Sequence, residues 1–194
     1  MEQNGKSMIS QNWSIEDYLK LNLSENSTDD DWTSAIHFLE ERFTERYFKV
    51  IKELSYAPAD YGFAIMALNC LLIDAFYQFE NGLEETNNNK ACYTSFLKKH
   101  LPHLFPTDTQ ALLFYKHIRC GILHSAQTKS GSQLTYNKDY AVEFFNCETN
   151  IRVDVLNFSH ELYGYFEHYI TRLKDGDIKT RKAFLRKMQY LCRN

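Results

Sequence analysis

The stretch Phe63-Ala64-Ile65-Met66-Ala67-Leu68-Asn69-Cys70-Leu71-Leu72-Ile73-Asp74-Ala75-Phe76-Tyr77-Gln78-Phe79 decides the class of fold. It is the longest apolar run in the chain, and Asn69, Asp74 and Gln78 interrupt it. A bilayer span needs about 20 apolar residues with few polar breaks, so this run reads as the core helix of a soluble fold. Apolar residues circle it, which predicts a central helix from about Tyr61 to Glu80. Ala57-Pro58-Ala59-Asp60 breaks the chain before it, and Asn81-Gly82 stops it.

Upstream, Ile36, Leu39, Phe43, Tyr47, Val50 and Leu54 recur at three- and four-residue steps, the stripe of a long helix with one buried face. The triplet Asp29-Asp30-Asp31 opens that helix, because carboxylates are favoured at a helix N-terminus. Its exposed side carries Glu45 and Lys49, a solvated pair. Residues 1–30 form a polar segment with one short amphipathic helix (Trp13, Ile15, Tyr18, Leu19, Leu23) started by Ser14. Met1 to Ser10 lacks an apolar centre, so no secretory signal is expected.

Downstream, a shorter helix is predicted near Cys92–His100. Pro102 and Pro106 then bracket a linker before a helix capped by Thr107 or Asp108. The polar loop 125–132 leads to three β-prone runs, Gln133–Tyr136, Ala141–Phe145 and Ile151–Val153. They predict a hairpin or three-stranded insert over about 133–154. Helices return at Ser159–Leu173 and Ile178–Cys192, separated by Asp175-Gly176-Asp177.

Composition agrees with this pattern. Of 194 residues, only 7 are Gly and 3 Pro, which favours helices over short strands. The expected architecture is mainly α, an antiparallel helical bundle with a small β insert, in one domain over residues 31–194. A net charge of −3 rules out a generally basic nucleic-acid binder, so any RNA contact must be local. Cys70, Cys92, Cys120, Cys147 and Cys192 are odd in number and contain no C-x-x-C pair, which suggests reduced thiols in a cytoplasmic protein.

Chemistry is suggested most directly by Arg119-Cys120-Gly121-Ile122-Leu123-His124. The imidazole can transfer protons near neutral pH, and the guanidinium can hold a phosphate. On a straight helix the two lie about 140° apart in projection, so one regular helix does not make a compact site. Loosening at Gly121 or a second copy across a two-fold axis would bring them together. His117, by contrast, shares a face with His124. The plain alternative is a buried, hydrogen-bonded His124, with Arg119 paired to Asp74. Asp74 needs some partner, since a lone carboxylate in an apolar helix is costly.

His100 and His103 have spacing reminiscent of metal ligands, but no convincing third ligand accompanies them, so a surface loop is expected and no metal or other cofactor. In the C-terminal helix, Lys179, Arg181, Lys182, Arg186 and Lys187 form a basic tract beside Ala183, Phe184, Met188 and Leu191. Two readings stay open for it: a solvated helix face and an RNA-backbone contact.

The segment Phe114-Tyr115-Lys116-His117-Ile118-Arg119-Cys120-Gly121-Ile122-Leu123-His124 resembles the Arg-x4–6-His segment of HEPN-superfamily proteins. The helix Gly62–Asp74 is similar to the core helix of an uncharacterised bacterial group in which an acidic residue recurs near Asp74. This resemblance covers roughly residues 31–190. It implies a helical bundle that dimerises and a composite, metal-independent endoribonuclease site in phage defence or a toxin–antitoxin system. Arg119 would bind the scissile phosphate and His124 would transfer the proton, with Asp74, His117 and Cys120 in support. Partners would be RNA, a second copy and an antitoxin or other defence-system protein, with no membrane. The chain departs from the pattern at Cys120, where active members often carry Asn, Asp or His. A thiol is a weaker hydrogen-bonding group, which leaves a catalytically silent HEPN module, binding RNA, nucleotide or a partner protein, as the alternative.

Overall fold

Short side-chain caps set most of the helix starts in this chain. The structure, a computed structural model, describes residues 2–3 and 6–193. Within the polar segment 1–30, Met1, Asn4 and Gly5 therefore lie outside the described residues, as does Asn194 at the end of the expected domain. The order is β1 (Glu2–Gln3), β2 (Lys6–Ser7), α1 (Ile15–Lys20), α2 (Asp29–Phe43), α3 (Lys49–Tyr56), α4 (Gly62–Asn81), α5 (Asn89–His100), α6 (Asp108–Leu113), α7 (Cys120–Ser125), β3 (Gln133–Thr135), β4 (Val142–Phe145), β5 (Asn150–Asp154), α8 (Val155–Lys174) and α9 (Ile178–Leu191). The fold is mainly α with a small sheet, as expected. Ser14, Thr28 and Thr107 each accept from the backbone three residues on, and Asp17, Asp31 and Gln110 reach back in return.

Close packing groups the chain into two compact units. The first comprises residues 1–50, 78–85 and 166–194, and the second 51–77 and 86–165. In the first, Trp32, Phe79 and Phe184 are buried together, with Phe184 5.8 Å from Trp32 and 6.2 Å from Phe79 between ring centroids. The long helix expected over residues 29–56 is not regular. A π-helical turn, Thr44–Phe48, separates α2 from α3, and the Lys49 N–H reaches Thr44. The wider turn allows Phe43 and Phe48, five residues apart, to pack on the same ring, at 5.2 and 5.4 Å from Phe166.

In the second unit, Phe105, Phe114 and Phe158 form a fully buried aromatic cluster. Asn69, the first polar break in the apolar run, is buried and donates to the Ser159 hydroxyl at 2.8 Å. That hydroxyl donates in turn to the Val155 carbonyl at 2.6 Å, so one interior N–H of the amide is relayed to the backbone. The expected insert is a three-stranded sheet of order β3-β5-β4. β4 and β5 are the antiparallel hairpin, whereas β3 runs parallel to β5, Leu134 opposite Val153.

Helix α8 begins at Val155, four residues before the predicted start, because Asp154 caps it. Its buried carboxylate accepts from Leu156 at 3.2 Å, Asn157 at 3.1 Å and Lys138 at 2.9 Å. Helix α4 also departs from expectation, since it is not enclosed on every side. Phe63 is 38% and Leu71 43% exposed, and Ala64 also faces outward. By length and composition α4 alone among the described helices could cross a membrane, yet half of its most apolar window is buried.

Asp154→Ala removes three backbone partners at the junction of sheet and helix. It should lower stability by about 2 kcal/mol, read from the urea-denaturation midpoint at unchanged slope.

Candidate functional site

The segment carrying Arg119 and His124 is helical throughout but not uniformly α. After the Thr107 cap and α6, residues Phe114–Arg119 form a π-helical turn in which the Cys120 N–H reaches the Tyr115 carbonyl. Phe114, Ile118 and Ile122, four apart, are buried and anchor one side. Ala126 ends the helix in the left-handed region at φ 50°.

Arg119 is half-buried and His124 exposed. Arg119 Nη1 lies 3.0 Å from His124 Nε2. The long arginine stem thus bridges the 140° offset, about which the regular helix alone is unhelpful. Since a guanidinium only donates, Nε2 is the acceptor in this contact. The reading of His124 as a buried core histidine is overturned.

Two phenols hold the arginine. Its guanidinium carbon is 5.7 Å from the Tyr93 ring and 5.8 Å from the Tyr115 ring. Burial works against the charge, but Tyr93 and then Cys120 outweigh it and hold the arginine above its ordinary range. Tyr93 is itself buried, donates to the Cys70 carbonyl, and is pushed far up by burial. Arg119 Nε is buried without a hydrogen-bond partner, so the cation is fixed by packing on that side. Cys120 faces the Tyr115 phenol, which burial and then this thiol push upward.

Asp74 is satisfied elsewhere than expected. Thr86 Oγ1 donates to it at 2.5 Å and Cys92 Sγ at 3.6 Å. Among the described residues it forms no ion pair with Arg119. Burial and then the Asp74 charge push the Cys92 thiol up, while Arg119 acts weakly in the opposite sense. Asp74 therefore orders the start of α5 and does not grip the arginine.

His117 shares the helix face of His124 but is separated from it by a returning loop. At Gly121, an added Cβ would sit 2.5 Å from the Gln127 carbonyl oxygen and 3.1 Å from Thr128 Cα. Glycine here permits close backbone approach; it does not loosen the helix, contrary to the sequence reading. The His117 carbonyl accepts the Lys129 N–H at 2.9 Å, and His117 Nδ1 meets Ser132 Oγ at 3.0 Å. Ser132 Oγ already accepts the Ile151 N–H at 3.2 Å, so its hydrogen is best placed toward a neutral His117. Burial first, then Lys116 and Lys129, lowers His117 below its ordinary value.

The remaining candidates do not join this site. His103 Nε2 lies 3.1 Å from Glu161, and the His100 ring packs 4.5 Å from Tyr165. No group of three or more His, Cys, Asp or Glu among the described residues could hold a metal. In the basic tract, Lys187 is buried, donating to Gln78 at 2.6 Å and to the Glu84 carbonyl at 2.5 Å, so it is a structural lysine. Arg181 lies over Trp32 at 4.5 Å and 3.6 Å from Asp29, and Lys182 pairs with Glu25 at 3.2 Å. Only Lys179 and Arg186 of the five are exposed without a recorded acidic partner.

Sequence reasoning missed the two phenols. Tyr115, four residues before Arg119, was visible as an aromatic on the same helical segment; Tyr93 comes from α5 and had no local signal. The chain matches no known family model, no curated protein and no solved structure.

Two outcomes follow from the loop contact. Gly121→Ala should displace the backbone at 127–129 and cost about 1–3 kcal/mol, measured by denaturation and by faster amide exchange in that loop. Because His117 is lowered in the folded state, the stability it contributes is full above its ordinary value of 6.5 and is lost as pH falls through the folded value. The stability gap between wild type and His117→Asn should therefore narrow from about pH 7.5 to about pH 5.

Proposed function

We propose that this protein is a metal-independent endoribonuclease of HEPN type, working as a homodimer in the cytoplasm, in phage defence or a toxin–antitoxin system. The observation that carries the reading is the Arg119–His124 contact at 3.0 Å, with the imidazole exposed and its Nε2 facing the guanidinium as acceptor. A phosphodiester is a stronger partner for a guanidinium than a neutral imidazole is. Binding of RNA draws Arg119 onto the phosphate and releases His124 Nε2. The freed imidazole takes the ribose 2′-hydroxyl proton, O2′ attacks phosphorus, and the bond from phosphorus to O5′ breaks. Arg119 stabilises the charge that develops on the phosphoryl oxygens. The departing O5′ takes a proton from an imidazolium contributed by the second copy, leaving a 2′,3′-cyclic phosphate and a 5′-hydroxyl.

Support for the dimer comes from α4, where Ala64 and Leu71 are exposed and Ala67, Leu68 and Ala75 half-exposed, an outward apolar stripe at helical spacing. Leu123, beside His124, is 45% exposed as well. The five cysteines, all free, favour a reducing compartment. The catalytically silent, RNA-, nucleotide- or protein-binding module keeps one observation in its favour: Cys120, next to the arginine, faces Tyr115 and adds no strong donor or acceptor to the site.

With chelator present, wild type should cleave single-stranded RNA to 2′,3′-cyclic phosphate ends. Arg119→Ala and His124→Ala should each slow cleavage by about 100-fold or more with melting unchanged. Equal cleavage by wild type and both variants would overturn the assignment, and binding without cleavage would establish the silent module.

A further inference from the structure

The loop that follows His124 also builds a cleft. After packing on Gly121, it supplies Gln127 and leads to Gln133, which together with Asp60, Phe63 and Tyr136 line a space of about 230 Å³. Drug-sized ligands occupy roughly 300–1,000 Å³, so this cleft suits a single flat ring system. None of the residues lining it is cationic, and one is a carboxylate, which disfavours phosphate. Phe63 offers an aromatic face, being 38% exposed.

Asp60 is held in a defined orientation. Its Oδ1 accepts the Tyr136 hydroxyl at 2.6 Å and the Gly62 N–H at 3.0 Å. The tyrosine lies close over Gly62, where an added Cβ would be 2.5 Å from its hydroxyl oxygen. These hydrogen bonds, Tyr136 first, hold Asp60 below the usual carboxylate range, so it is acceptor-only near neutral pH. The second oxygen, Oδ2, has no recorded partner and remains available to a ligand donor. Gln133 Oε1 is taken by Arg152 at 2.9 Å, which leaves its amide N–H groups as donors.

We infer that this cleft is a base subsite of the RNA site, stacking an unpaired nucleobase on Phe63 and reading its exocyclic amino group with Asp60 Oδ2. It rests on the ribonuclease reading and adds a substrate preference to it: single-stranded RNA carrying a base with an exocyclic amino group, such as cytosine or adenine, rather than uracil. Single-stranded bases are commonly recognised by such stacking together with hydrogen bonds to their Watson–Crick edges. Uracil presents a carbonyl oxygen where cytosine presents an amino group, and so meets the carboxylate oxygen with a like dipole.

The test is the affinity of short 2′-O-methyl homopolymers of C, A and U, which resist cleavage, measured by fluorescence anisotropy. Wild type should bind the C and A polymers about tenfold more tightly than U. Asp60→Asn keeps an oxygen for Tyr136 and Gly62 but turns the free acceptor into a donor, and should abolish or reverse that preference. Phe63→Ala should weaken binding of C and A by about tenfold. Equal wild-type affinity for C and U, an unchanged preference in Asp60→Asn, or no binding would overturn the subsite. Failure of the ribonuclease reading shows separately, as cleavage indifferent to Arg119 and His124.

Discussion

A backbone contact at Gly121 sets the geometry of everything around the candidate site. The Gln127 carbonyl lies so close to the Gly121 Cα that no side chain fits between them. This contact follows the left-handed turn at Ala126 and reverses the chain onto its own helix. Lys129 then pairs with the His117 carbonyl, and Ser132 links the His117 ring to the Ile151 N–H at the start of β5. One reversal thereby ties the β insert to the helix at His117 and Gly121, while His124 stays exposed.

Electrostatics give that uncovered pair its character. A half-buried guanidinium loses hydration, and here two aromatic faces replace part of it. The contact with His124 replaces another part without neutralising the charge, since the imidazole is the acceptor. Asp74 would have neutralised Arg119 had it paired with it. Its engagement by Thr86 and Cys92 leaves the cation available for an anionic ligand. The arrangement is a half-buried cation without a carboxylate partner among the described residues, in contact with an exposed imidazole, and the proposed phosphate contact rests on that pairing.

Much of the frame was legible because its signals are local. Thr28 and Thr107 stand three residues before Asp31 and Gln110, and those pairs form the caps that start α2 and α6. The β insert was visible from its short β-prone runs set off by Asn-containing turns, whereas the parallel pairing of β3 with β5 joins strands distant in sequence and had no sequence signature. Both π-helical turns were missed for a related reason. An extra residue in a helical turn is favoured by tertiary packing, such as Phe43 and Phe48 on one ring, which no periodicity reports. The basic tract misled because composition does not show burial: Lys187 is buried on Gln78 and Glu84 and is unavailable to RNA. Of the candidate site, the residues Arg119 and His124 could be named from the motif, while their direct contact within one chain ran against the offset of about 140° and the phenol cradle required α5 to fold beside them.

The central claim is that a phosphodiester takes Arg119 from His124 and meets both side chains. Following the His124 ring resonances by NMR during titration with an uncleavable 2′-O-methyl dinucleotide tests this directly. The account predicts saturable shifts of that ring in wild type, strongly reduced in Arg119→Ala, with the His117 ring little affected beneath its loop. Shifts absent from His124, or identical in Arg119→Ala, would contradict it.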